Sequence, residues 1–243
     1  APDILYIRTD VTSEQAVAQA QAQIIERFGR SPSYVVSCAG VAPAGALLTS
    51  PVKMFTRAFD INAAANVVLA QAFLPAMISN NHGHFMTVAS SASYFSLPNL
   101  CAYSMSKTAA LAFLESLRAE LRAVYKACRV RTSVVTPTKV RTVLAEGLNE
   151  GDDDFLMPVL EPIQVARAMA DTLNSGLSRN ISLPLGSALL PYLRALPEWY
   201  RGALRAMGNT DALVTPESIS RGQQARRGHQ SNLDHMKKLG VHS

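Results

Sequence analysis

Five short apolar runs, at 4–7, 34–36, 85–88, 130–135 and 181–183, alternate with four stretches, at 13–28, 54–79, 102–125 and 163–173, in which apolar residues recur every three or four positions. Runs without polar alternation read as strands buried on both faces, and such strands belong to a parallel sheet covered by crossover helices. The pattern therefore predicts an α/β chain built on a doubly wound parallel sheet. With 243 residues, 48% hydrophobic and 17% charged, the chain has the balance of one globular domain with an ample core. Thr12 or Ser13 can cap the first helix, and Pro162 suits the first turn of the last one.

Charge and cysteine usage exclude several classes. The net charge of +5 is modest, and many basic residues fall late, among them Arg194, Arg201, Arg205, Arg221, Arg226, Arg227, Lys237 and Lys238. That excess suits an anionic membrane surface or a solvated tail, and no nucleic-acid partner is expected. Cys38, Cys101 and Cys128 lack disulfide-framework or metal-ligand spacing, which fits a reducing compartment. No run of eighteen uncharged apolar residues occurs, and 1–10 lacks the basic and apolar regions of a secretion signal, so no membrane span is expected.

Open parallel sheets place ligands at the carboxyl ends of their strands. Here those ends carry Asp10, then Ser37, Cys38, Ala39 and Gly40, then Ser90 and Ser91, then Thr136. The segment YSMSK sets Tyr103 and Lys107 four residues apart near a helix start, on one face. For a phenol to exchange a proton near neutrality its pKa must fall by about three, a cost of roughly 4 kcal/mol. An ammonium at about 4 Å, in an effective dielectric near 20, supplies roughly that much. The pair alone is weak and equally describes an exposed helix pair. It is strengthened by Ser90, thirteen residues before Tyr103, whose hydroxyl can hold a carbonyl oxygen beside the phenol, and by Asn62 in FDINAAAN. Ser91 stands beside Ser90 as the alternative.

The motifs VVSCAGV, FDIN, HGHFMTVASS, LPNLCAYSMSK and TPTKVRT, in this order, resemble the short-chain dehydrogenase/reductase family over most of the chain, from Asp10 to about Leu183. FLPAM and NNHGHFMTVASS further resemble its branch of retinol dehydrogenases and type 11 17β-hydroxysteroid dehydrogenase, with their fungal relatives. The resemblance implies a Rossmann-like fold and a hydride transfer between NADP or NAD and an alcohol or carbonyl of an apolar, lipid-, retinoid- or steroid-like substrate. It implies Tyr103 as general acid/base, Lys107 as the group that lowers its pKa and binds the nicotinamide ribose, Ser90 as the substrate-orienting hydroxyl, and Asn62 as anchor of a water relay to Lys107. Asp10 and Val11 would lie at the adenine, Ala39 and Gly40 beneath the cofactor, and Val140 and Thr142 at the carboxamide. Read without the family, Asp10 is equally a helix cap and Gly40 a tight-turn glycine. The resemblance also implies pairing of two copies through the helices of Asn62 and Tyr103, and a cytoplasmic place or a peripheral one on an intracellular membrane. Within the class, a sphingoid-ketone or secondary-metabolite reductase is the alternative; outside it, a catalytically silent scaffold or membrane-associated fragment.

Two departures stand out. Ser37 and Cys38 replace the family's two asparagines, which predicts lower stability, and no GxxxGxG turn occurs among the thirteen glycines. Ala1 aligns with the start of the family's third strand, so the sheet is expected to lack the first two family strands, leaving a strand edge unpaired and apolar faces uncovered. This organisation predicts a partial dinucleotide-binding domain at 1–185, a helical cap or membrane-interface segment at 186–208, and a flexible polar tail at 209–243. Pro191 and Pro197 should break any helix across 187–207. His82 and His84 read as a polar strand entry and no metal is expected. Asp152, Asp153 and Asp154 read as a solvated turn, with Phe155, Leu156 and Met157 lining the substrate cavity.

Overall fold

The computed structural model describes residues 3–145, 158–207, 214–215, 217–221 and 224. The expectations for Asp152 to Asp154, for Phe155 to Met157 and for most of the tail at 209–243 lie outside these residues. In chain order the elements are α1 (Glu14–Phe28), β1 (Tyr34–Ser37), α2 (Val52–Phe59), a π-helical turn (Asp60–Ala64), α3 (Ala65–Ser79), β2 (Gly83–Val88), α4 (Cys101–Ala123), β3 (Val130–Pro137), α5 (Pro162–Ser175), β4 (Asn180–Leu183), α6 (Leu190–Leu193) and α7 (Glu198–Met207). The four strands form one parallel sheet in the order β1-β2-β3-β4, with Val35 opposite Phe85 and Phe85 opposite Thr132. Helices flank the sheet, so the fold is Rossmann-like. Its main core lies between the strands and α1, α3 and α4, where Val17, Val35, Phe73, Met77, Phe85 and Leu114 pack together.

Local chemistry explains the boundaries. The Ser13 hydroxyl accepts the Ala16 N–H at 3.2 Å and starts α1, while Gly29 ends it in the left-handed region with its N–H on the Ile25 carbonyl. At α5, Glu161 and Gln164 form a reciprocal capping box and Pro162 occupies the first turn. A Cβ on Gly83 would lie 2.5 Å from the Met77 side chain, so only glycine lets β2 enter this close to α3. The helical run 52–79 is long and apolar enough to cross a membrane by composition, contrary to the expectation of no such stretch. Its Ala70, Phe73, Leu74 and Met77 are nevertheless spent on the core against the sheet, which is a sufficient reason for its apolar content.

Three expectations are corrected. Residues 4–7 form no strand: the backbone there makes no ladder, and Ile4 and Tyr6 are exposed. A groove of about 920 Å³, lined by Ile4, Ile7, Ile24, Phe28, Pro32 and Tyr34, lies between this extended segment and β1, so the two backbones do not pair. The strand β1 pairs with β2 alone among the described residues and is buried on one face only; Val35 faces the core while Tyr34 and Val36 are exposed. Finally, His84 is not a polar entry to its strand. It is buried in β2, with Nε2 2.9 Å from the Ser133 hydroxyl.

Burial, reinforced by the nearby Arg131 charge, pushes the His84 pKa from 6.5 down to about 4. The unfolded chain therefore binds this proton more readily, and stability falls as pH drops from about 6.5 toward about 4, by up to roughly 3 kcal/mol. We expect His84→Gln, which keeps a hydrogen-bonding group toward Ser133 without a proton to gain, to flatten that part of the urea-midpoint profile. An unaltered slope would assign the acid sensitivity to other groups.

Candidate active site

The π-helical turn at Asp60–Ala64 lies where two amides, Asn62 and Asn66, sit four residues apart. The buried Asn66 amide donates to the Asn62 carbonyl at 2.9 Å and the Ala63 carbonyl at 3.1 Å, and its oxygen accepts the Thr87 hydroxyl at 3.2 Å. Asn66 thus satisfies carbonyls that the widened turn exposes and ties them to β2. Inside that turn the Asn62 side chain is buried. Its Oδ1 accepts the Val41 N–H at 2.8 Å, and its Nδ2 donates to the Val41 carbonyl and the Ser106 hydroxyl, each at 2.8 Å. Ser106 in turn donates to the Tyr103 carbonyl at 2.7 Å, so one amide links the loop after β1 to the start of α4.

That loop passes close to a charge. A Cβ built on Gly40 would lie 3.2 Å from Asn62 Oδ1 and 3.3 Å from Lys107 Nζ, so a side chain here would press on both groups. The Lys107 ammonium is 4% exposed and donates to the Val88 carbonyl at the end of β2 at 2.8 Å. An ammonium has three N–H donors, and this bond uses one. Burial is the main influence on it and pulls its pKa from 10.5 down to about 8, partly opposed by Cys38.

Tyr103 lies one helical turn before Lys107 on α4, with Nζ 6.0 Å from the ring centroid. Ser90 closes the group. Its buried hydroxyl accepts the Ala92 N–H at 3.1 Å, capping the short 3₁₀ turn Ser91–Ser93, and a hydrogen bond between Ser90 and Tyr103 favours the phenolate. Of the two adjacent serines, Ser90 is thus the one that meets the phenol. Here the expected electrostatics are corrected: burial raises the Tyr103 pKa above its ordinary 10, and the opposing influence comes from Ser90 rather than Lys107. The ammonium is directed at the Val88 carbonyl, and the desolvation that brings the two groups together outweighs what it adds at this separation.

The structure therefore assembles Asn62, Ser90, Tyr103, Lys107 and Gly40. The remaining sequence candidates make local contacts of their own. Asp10 is exposed and accepts the Thr12 N–H at 3.0 Å and hydroxyl at 2.7 Å, which hold its carboxyl below the usual range as the chain turns into α1. Val11 follows it, partly exposed, and Ala39 is exposed after β1. Val140 pairs through its backbone with Leu160, and Thr142 is exposed with its hydroxyl on the Val140 carbonyl at 3.3 Å. Asn66 and Ser106 were not singled out from the sequence. The signal for Asn66 was present in FDINAAAN, whose second amide needs a partner on a face otherwise given to the core.

The residues fit the nicotinamide end of a dinucleotide. Gly40 leaves a cradle that a Cβ would fill, and Lys107 retains donor capacity beside it. For the pyrophosphate no glycine-rich turn exists in the sequence.

The family profile described as short chain dehydrogenase matches residues 1–153. Dehydrogenase RED3 of Cochliobolus heterostrophus is 40% identical over 131 residues, 54% of this chain and 66% of that protein. Human estradiol 17-beta-dehydrogenase 11 is 37% identical over 175 residues, 71% of this chain and 56% of its own length. Human epidermal retinol dehydrogenase 2 is 33% identical over 153 residues, 63% of this chain and 48% of its length. The chain thus spans between about half and two thirds of these relatives. A provisionally assigned gluconate dehydrogenase of Agrobacterium tumefaciens superposes with a TM-score of 0.64 at 18% identity, covering 74% of each chain, a likeness of fold. With a matching profile over more than half of its length and relatives of this identity, the chain belongs to the short-chain dehydrogenase family.

Proposed function

We propose that this protein takes part in an NAD(P)-dependent oxidoreduction, in which a hydride passes between nicotinamide and the carbon of an alcohol or carbonyl on an apolar substrate. The observation that carries the reading is the convergence of Tyr103, Ser90 and Lys107 at the carboxyl end of β2, with Gly40 and Asn62 completing the floor. When bound, the nicotinamide supplies or accepts the hydride. The Ser90 hydroxyl orients the substrate oxygen against the phenol, and Tyr103 gives that oxygen a proton in reduction or removes it in oxidation. Lys107 holds the ribose with its remaining N–H groups, and its proximity then favours the phenolate once substrate and cofactor displace water. Asn62 acts as a positioning residue, holding the Val41 peptide and, through Ser106, the first turn of α4. In the same reading Asp10 and Val11 lie toward the adenine, Ala39 beneath the cofactor, and Val140 and Thr142 toward the carboxamide.

The apolar substrate class rests on the names of the relatives, which act on estradiol and retinol. Pairing of two copies, and a place in the cytoplasm or on an intracellular membrane, belong to the same proposal. The test is oxidation of NADH and NADPH by the purified protein with retinoid, steroid and long-chain ketones beside short polar ones. Turnover confined to the apolar carbonyls is expected. A folded protein inert toward every carbonyl with both cofactors would leave the silent-scaffold reading in its place.

A further inference from the structure

The helix α7 is inside out. In α7 the half-buried positions include Arg201 and Arg205, whose side chains are only 29% and 23% exposed and pair with Glu198. Arg205 also lies over the Phe95 ring at 4.9 Å. The outward positions are Glu198, Trp199, Tyr200, Gly202, Ala203, Ala206 and Met207, and the single charge among them, Glu198, is the one that pairs with both arginines. Trp199 is 75% exposed and Met207 84%. A helix on a protein surface ordinarily turns its apolar stripe inward and its charges to water. Here the guanidinium groups are held against the protein and the apolar stripe faces out. The preceding segment continues the pattern with exposed Leu185, Leu189 and Tyr192, broken into short pieces because Pro191 and Pro197 both fall at helix starts.

Charge argues for what covers this face. Residues 185–243 carry eight Lys and Arg against four Asp and Glu, while the rest of the chain is nearly neutral. A second copy docked through the same face would bring two positive segments together, whereas an anionic bilayer attracts them. An aromatic pair beside arginine on an exposed apolar stripe is also the composition of a helix lying in the headgroup region.

We infer that the outer face of α7, with the exposed residues of 185–192, docks on the surface of an anionic phospholipid membrane. The segment lies against the loop that joins Ser90 to Tyr103: Arg205 stacks on Phe95, and Asn99 donates to the Val214 carbonyl at 2.7 Å. Docking there would set the catalytic cluster beside the lipid phase, where an apolar substrate is concentrated. The surface deepens the membrane part of the proposed function, but its test needs no turnover.

Trp199 is the one tryptophan of the sequence and reports directly. The full chain is mixed with vesicles of phosphatidylcholine, alone or with phosphatidylserine, and followed by tryptophan emission and co-sedimentation. A blue shift and pelleting with the anionic vesicles, reduced by salt and by omitting phosphatidylserine, is expected. Met207→Ser and Tyr192→Ser keep the reporter and should each weaken partitioning about tenfold, the worth of one buried large side chain, with unchanged circular dichroism. Several results would overturn the assignment: unaltered emission with both vesicles, equal binding to the neutral ones, a lipid-free blue shift that grows with protein concentration, or Trp199 already shielded from iodide in the lipid-free chain.

Discussion

Tyr103→Phe is expected to lower turnover by about a thousandfold or more while leaving cofactor affinity within a few-fold. The substitution removes one oxygen from a ring that otherwise stays packed at the start of α4, so the fold has little to lose. Proton transfer by a placed side chain is worth roughly two to four orders of magnitude in rate. Among the described residues the cluster holds no second phenol: beside Tyr103 stand the Ser90 hydroxyl, which accepts the Ala92 N–H, and the Lys107 ammonium, which donates to the Val88 carbonyl. Single-turnover rates with a saturating apolar carbonyl, together with cofactor titration by fluorescence, separate the two quantities. A variant that turns over within tenfold of the parent would remove Tyr103 from the proposed role. Loss of cofactor binding in parallel would make it a binding residue instead.

The second large effect has the opposite sign in stability. Lys107→Met should abolish turnover and yet stabilise the protein. With its pKa held near 8 rather than 10.5, the buried ammonium is disfavoured in the folded state, an imbalance of about 3 kcal/mol at neutral pH. Loss of the bond to the Val88 carbonyl offsets about 1 kcal/mol of the gain. The remaining ~2 kcal/mol corresponds to a melting temperature about 4 to 8 °C higher. The direction with pH follows from linkage. A depressed folded pKa means that the unfolded chain holds the proton longer, so the parent gains stability as pH rises from about 8 through 10.5, and the penalty is fully present below 8. The difference between parent and variant should therefore shrink across that window. An equally large difference at both ends, or a variant less stable at neutral pH, would show that Lys107 supports the fold rather than burdening it.

Much of the scaffold was legible from residues alone. Four of the five apolar runs became strands: three supply side chains such as Val35, Phe85 and Val134 to the core, while β4 pairs with β3 and stays only partly buried. Ser13, Pro162 and the two later prolines marked helix starts for reasons confined to a few bonds. The run at 4–7 failed for the complementary reason: apolar content makes a strand only where a partner edge is within hydrogen-bonding reach, and the groove keeps the edge of β1 away from it. His84 was misread because two histidines flanking a glycine look polar, whereas the register of β2 turns His84 inward against Ser133.

The candidate site divides along the same line. Spacing on one helix brought Tyr103 and Lys107 together, and strand ends pointed to Ser90 and Gly40, since periodicity and parallel topology are properties of the chain itself. Folding alone decided the electrostatics. Whether Lys107 lowers the phenol pKa or merely shares its burial depends on a 6.0 Å separation and on a carbonyl at the end of β2. The same holds for Asn66, whose bonds to the π turn join residues of one helix but need Thr87 of β2 as anchor, and for α7. Its sequence carries two arginines on one side and aromatic and apolar residues on the other, and only packing against Phe95 and the loop before Tyr103 turned the arginines inward. Hydrogen bonds and desolvation act over a few ångströms between residues far apart in the chain, a proximity that exists only once the sheet has formed.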